Sequence, residues 1–127
     1  MQSAEKFAKR VFQIAGWYGI VVIVPQYFLE ARIGLDTPPP ISHPEYFYGF
    51  TGVTLAFQFA FLLIASNPVQ YLKLIPVAMF EKISFVVAAI ALYSFGRLQG
   101  PILGGAFIDA ILFVVFTISY RRLSRGE

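Results

Sequence analysis

The sequence predicts an all-α fold, a polytopic membrane protein of four transmembrane helices in an antiparallel bundle with both termini cytoplasmic. Three observations carry this. The chain is 57% hydrophobic and 17% aromatic but only 13% charged, about half the charge of an ordinary soluble domain. The charges are clustered, which leaves four apolar segments near the ~20 residues that cross a bilayer core. The basic residues collect beside alternate segment ends. With 127 residues the chain is long enough for a single membrane domain, and too short to hide four such segments from water inside a soluble core.

The first segment, VFQIAGWYGIVVIVPQYFL at 11–29, has no charge and follows Lys6, Lys9 and Arg10. It is too long for the apolar region of a signal peptide, and no small-x-small cleavage pattern follows it, so it reads as an uncleaved helix. Pro25 within it predicts a kink. The connection at 30–47 reads as the one long loop, stiffened toward an extended form by Pro38-Pro39-Pro40.

The second segment, at 48–66, is also uncharged. Ser42-His43-Pro44-Glu45 has the S-x-x-E form of a capping box, which predicts a helix start near His43. The third segment, at 74–95, contains Glu81 and Lys82. Asn67-Pro68 ahead of it suits an N-cap followed by a first-turn proline, and Pro76 predicts a second kink. Gly100-Pro101 separates it from the fourth segment, at 101–120, whose only charge before Tyr120 is Asp109.

Lys6, Lys9, Arg10, Lys73, Arg121, Arg122 and Arg125 fall at one end of the bundle, and only Arg32 and Arg97 at the other. Basic residues favour the cytoplasmic side, so the 30–47 connection faces outward. The expected location is a cell membrane, crossed several times (the inner membrane if the source is bacterial). Small residues recur at four-residue spacing: Gly52, Ala56 and Ala60; Gly105 with Asp109; Ala106 with Ala110; Ala15 with Gly19. Such pairs let membrane helices approach closely. Short connections make segments 2 and 3, and segments 3 and 4, expected antiparallel neighbours.

The polar residues inside the segments lie at similar depths. At about 1.5 Å rise per residue, Glu81 stands roughly 12 Å above Lys73, and Tyr18 and Gln58 match it on their own helices. Asp109 lies roughly 18 Å from Arg121, level with Thr54. Intramembrane charges cost about 2.5–3.5 kcal/mol each on insertion scales, so they should face inward and find partners. Residues 81 and 82 are about 100° apart on a helix, which predicts separate partners for each. The expected pairing is Lys82 with Asp109, with Glu81 accepting from Gln58 or Tyr18 or carrying a proton. The swapped assignment is the alternative. Tyr18, Thr54, Gln58, Glu81, Lys82 and Asp109 are therefore candidate ligand-binding residues, and a closed interhelical clamp is the competing reading.

A second cluster, Glu30, Arg32, Asp36, His43, Glu45 and Arg97, lies toward the outer end beside the aromatic run Tyr46, Phe47, Tyr48 and Phe50. Arg32, His43 and Arg97 are candidate contacts for an anionic headgroup, with salt bridges to Glu30 and Glu45 as the plainer account. No metal site is expected: one histidine beside carboxylates is a poor ligand set. With no cysteine, disulfides, thiolate metal sites and cysteine nucleophiles are excluded. No phosphate loop, GxSxG or HExxH motif occurs, and the membrane-flanking placement of the basic residues gives no nucleic-acid footprint.

Residues 80–118, FEKISFVVAAIALYSFGRLQGPILGGAFIDAILFVVFTI, resemble the second half of DoxX-like small four-helix membrane proteins. Glu81, Gly96-Arg97 and Gly104-Gly105 stand where that family has a glutamate, a glycine with a short basic turn, and a small-residue helix. The segment HPEYFYGFTGVTLAFQ departs from the pattern. The resemblance implies a membrane accessory or quinone-linked role.

The function expected is non-enzymatic: binding of a small lipophilic molecule (lipid or quinone), or of a partner membrane subunit or second copy, through the buried polar layer. The alternatives are a small intramembrane enzyme acting on a lipid or quinone, with Glu81 or Asp109 as acid/base, and a proton-coupled carrier. No cofactor is required by the residues themselves. A void beside Glu81 favours ligand binding or catalysis, and a solid, fully paired interior favours the clamp.

Overall fold

The computed structural model describes residues 2–127, and it is helical throughout with no strand among them. The helices are α1 (Ser3–Ile23), α2 (Glu30–Asp36), α3 (Pro44–Ser66), α4 (Ile75–Ser94) and α5 (Leu103–Ser124). With their flanking 3-10 turns, four of them are long and apolar enough to cross a membrane. Long apolar helices suit a membrane because each satisfies its backbone polar groups internally. The protein is a small multi-pass membrane protein built as a four-helix bundle, with α2 as a short addition.

Several boundaries differ from the sequence reading, each for a local reason. Pro25 lies where the first span changes helix type. The α-helix ends at Ile23 and continues as a 3-10 turn over Val24–Phe28 with Pro25 in its first turn. Pro76 also falls in a first turn, that of α4, where a missing N–H costs nothing. Asn67 ends α3 and also caps the turn over 68–71, but α4 itself starts only at Ile75. The Asn67 Oδ1 accepts from the Gln70 backbone N–H at 3.1 Å, closing a turn around the buried Pro68. At the start of α3, His43 is the N-cap residue and no side chain caps the backbone, so the expected capping box is absent.

The 30–47 connection is not an extended loop. Its first half is helix α2, and residues 37–39 bend. The buried Gly34 lets α2 lie against the returning chain: a Cβ there would stand 3.1 Å from the Pro40 Cα. Helix α4 stops at Gly96, whose φ of 68° is a backbone state that glycine adopts without strain. The Gly96 N–H bonds the Tyr93 carbonyl and the Arg97 N–H bonds the Leu92 carbonyl, the paired closure of a Schellman cap.

Packing is uneven along the bundle. α1 pairs closely with α3 and α4 with α5, while α1 touches α5 less and α3 and α4 scarcely meet. The expectation that segments 2 and 3 would be packed neighbours is therefore corrected: the turn between them is short, but α3 turns toward α1. At the basic end all four long helices join in one core of Ala8, Phe12, Ala15, Phe61, Ile64, Ala65, Ile75, Ala78 and Phe116. Phe12 and Phe116 stack with centroids 4.3 Å apart, and Phe61 meets Phe116 edge-on at 5.1 Å. Toward the other end, the buried side chains are few and mostly small, Ala89 and Ala106 among them.

The close face of α1 is Ala15, Gly16 and Gly19, all buried. The matching face of α3 is Thr51, Gln58, Phe61, Ile64 and Ala65. The Gly52, Ala56, Ala60 stripe is not this face: Ala56 is exposed and the other two only half-buried. Ala106 on α5 is buried, as its small-residue spacing suggested.

Candidate functional site

Above the aromatic base the two helix pairs enclose a cavity of about 510 Å³. All six polar residues singled out by depth line it: Tyr18 from α1, Thr54 and Gln58 from α3, Glu81 and Lys82 from α4, and Asp109 from α5. The depth argument brings them together because every helix rises at the same rate from the same basic end. The rest of the lining is mainly apolar, with Phe50, Phe57 and Phe85 the largest side chains.

Lys82 is the centre of the polar floor. It is 5% exposed. Its Nζ lies 3.4 Å from Asp109 Oδ1, with hydrogen-bond geometry, and 3.4 Å from Glu81 Oε2. The Lys82–Asp109 pairing expected from the sequence is present. The expectation of separate partners for residues 81 and 82 is not met: the four-carbon stem of Lys82 turns its ammonium back to the neighbouring carboxylate, so one cation serves both acids. Beneath it the ammonium sits 5.1 Å from the centroid of the Phe61 ring. A cation over an aromatic face gains about 0.5–2 kcal/mol, so the top of the aromatic core also holds the lysine in place.

Two oxygens at this floor are buried and lack hydrogen-bond partners: Gln58 Oε1 and Glu81 Oε2. Glu81 Oε2 is near Lys82 Nζ but outside hydrogen-bonding alignment, so it has Coulomb attraction without a donor aimed at it. Gln58, 1% exposed, donates through Nε2 to the Thr54 carbonyl at 2.8 Å. It does not donate to Glu81, contrary to the expected arrangement. Its amide occupies the space that Gly19 leaves, since a Cβ on Gly19 would overlap it. A buried acceptor without a donor costs about 1–3 kcal/mol, so this layer is not a fully paired clamp.

The cavity communicates with the exterior at membrane depth. Val53 and Ser84, both in its lining, are exposed, Val53 by 61%. The thin seam between α3 and α4 is where such openings arise.

The outer candidates do not line this cavity. Arg32 pairs with Asp36 across one turn of α2 at 3.0 Å, in place of the expected Glu30 or Glu45. His43 Nδ1 lies 3.0 Å from Glu45 Oε1, and its ring stacks on Tyr46. Glu30 instead accepts from the Tyr48 hydroxyl at 3.0 Å. Arg97 is exposed at the turn after α4. A second hollow, of about 630 Å³, lies under α2 between Tyr27, Gly34, Pro40 and Tyr48. The sequence reading missed it because it treated 30–47 as structureless. It also missed Gln26 in the cavity lining and the buried Gly16 on α1, and it named Gly105 only for packing. Only the i, i+4 glycine–alanine spacing hinted at the close α1 face.

No protein-family model, curated protein or solved structure matches this chain.

Proposed function

We propose that the protein binds a small lipophilic molecule, a lipid or quinone, in the cavity among its four long helices. The observation that supports this is that the intramembrane polar residues line a void and do not fully pair with one another. A structural clamp would close on itself, because in hydrocarbon each unpaired polar group is a cost with no return. Lined by aromatic and aliphatic side chains above a small polar floor, the cavity has the composition of a ligand site, and its volume lies in the usual 300–1,000 Å³ range. Its exposure at the α3–α4 seam suits a ligand that arrives from the bilayer.

The test is to purify the protein in a mild detergent and measure bound lipophiles by native mass spectrometry. A retained lipophile should be lost on Val53→Trp, which fills the mouth of the cavity without touching its polar floor. Equal retention by the variant, or a bare and stable wild-type protein, would sink the reading.

The same cavity suits an enzyme acting on its lipophile, because Glu81 and Asp109 face the space a substrate would fill. Chemical change of the bound molecule, abolished by Glu81→Gln with retention intact, would separate that reading from simple binding.

A further inference from the structure

The hollow under α2 is a second cavity, and its chemistry differs from that of the first. Its volume, about 630 Å³, lies in the usual range of small-molecule sites. Its walls are held in place by named contacts. The buried Gly34 seats α2 on Pro40. Gln99 Nε2, from the turn between α4 and α5, donates to the Pro38 carbonyl at 3.0 Å and fixes the returning chain. The Tyr48 hydroxyl donates to Glu30 Oε1 at 3.0 Å and ties α3 to the start of α2.

Glu30 is the only charged residue of the lining. One of its oxygens accepts from Tyr48. The other, Oε2, has no partner among the described residues and is not buried, so a group in the hollow can reach it. A carboxyl in contact with water is ionised at neutral pH. The neighbouring cations do not neutralise it: Arg32 turns to Asp36, His43 turns to Glu45, and neither they nor Arg97 line the hollow. The rest of the lining is mainly aromatic and aliphatic, with Tyr27, Phe28 and Tyr48 its three rings. Tyr27 and Tyr48 lie side by side, with centroids 6.0 Å apart and planes 29° apart.

An anion would meet this carboxylate with no cation to hold it. A wholly apolar ligand would cover the carboxylate without pairing it, and burying an unpaired charge is costly. A primary ammonium carries three N–H donors. Against these the lining side chains offer one free carboxylate oxygen and the tyrosine hydroxyls, so part of its hydration would be lost without replacement. A quaternary ammonium has no N–H to satisfy. It needs only a counter-ion and aromatic rings around its methyl groups, the combination that recognises such cations elsewhere.

We infer that the hollow under α2 binds a quaternary ammonium group, with Glu30 as counter-ion and Tyr27, Phe28 and Tyr48 around the methyl groups. This site is separate from the lipophile cavity, with which it shares no lining residue. The cation can come from the choline headgroup of a lipid or from a free solute.

Three water-soluble probes test the assignment: choline, its neutral isostere with carbon in place of nitrogen, and ethanolamine. Each is titrated calorimetrically at neutral pH into the wild-type protein in a non-ionic detergent. Choline should bind about tenfold tighter than either of the others. Glu30→Gln keeps a carbonyl oxygen for the Tyr48 hydroxyl. It should lower choline affinity about tenfold and leave the isostere within a factor of about two. Because the ranking is read on the wild-type chain, it stands even if the variant fails to fold. Equal binding of choline and its isostere, tighter binding of ethanolamine, or no binding of choline would overturn the assignment. Repeating the choline titration in bilayer discs separates the two sources. Binding that persists in phosphatidylglycerol discs and is lost in phosphatidylcholine discs supports the site with a lipid headgroup as its occupant. Binding retained in both supports it with a free solute, and loss in both would overturn it. The lipophile reading stands or falls independently, since none of these probes carries a tail.

Discussion

The amide of Gln58 lies in the space that a side chain on Gly19 would need. Helices α1 and α3 are thereby interlocked at mid-bundle, and a buried, unpaired acceptor is fixed in position by a glycine on the facing helix.

Gly19→Ala should therefore be costly. A methyl group forced into this contact displaces the Gln58 amide from the Thr54 carbonyl, and overpacking of this kind costs about 1–3 kcal/mol. Gly49→Ala is the control, since a Cβ there meets nothing within 4 Å. The expected result is a clear fall in the unfolding temperature for the first variant in detergent micelles and none for the second. Equal effects would mean that the interlock carries no energy.

Lys82→Met removes the one cation between two half-buried carboxylates. Leaving buried charge without its partner costs about 3–5 kcal/mol. The triple variant with Glu81→Gln and Asp109→Asn removes the charges together and should recover most of that loss. Thermal unfolding of both proteins checks it, and a Lys82→Met variant as stable as the parent would contradict the ion-pair account.

Gln58→Leu should separate stability from binding. It gives up one hydrogen bond to the Thr54 carbonyl, worth about 0.5–1.5 kcal/mol, and removes a buried acceptor whose lack of a partner costs about 1–3 kcal/mol. The unfolding temperature should hold or rise, while retention of the bound lipophile falls. A large loss of stability would show that the open oxygen has no energetic consequence.

Orientation can be read directly because the chain has no cysteine. Ser42→Cys and Ser124→Cys both place a thiol at an exposed position, near opposite ends of the bundle. With the basic end cytoplasmic, a membrane-impermeant thiol reagent added outside cells should label the first and spare the second. The reverse labelling pattern would invert the protein.

The number of long helices and the level of the polar residues were legible in the sequence because both follow from regular quantities, the length of an apolar run and the rise per residue. The faces were less legible. In a soluble helix the apolar side is the buried side, but here lipid-facing and core-facing residues are equally apolar. Ala15 and Ala56 look alike as letters, yet Ala15 packs against α3 and Ala56 is exposed. Lys82 reaching back to Glu81 was missed because angular spacing describes where a side chain starts, and a lysine is long enough to end elsewhere. The Asn67-Pro68 signal was read with the right chemistry and the wrong length: the Asn67 side chain caps the turn over 68–71, and α4 begins only at Ile75. Helix α2 was hidden by its shortness and by the prolines that follow it.

The packed rings of Phe12, Phe61 and Phe116, with the lysine seated on top, close the interior at its basic end. Whatever occupies the space above them must come and go through the exposed part of its lining, and not through the basic end. Occupancy would then track what surrounds the protein above its basic end, and the chain would behave as a sampler of its surroundings. To act as a passage between two compartments it would first have to unstack the three rings.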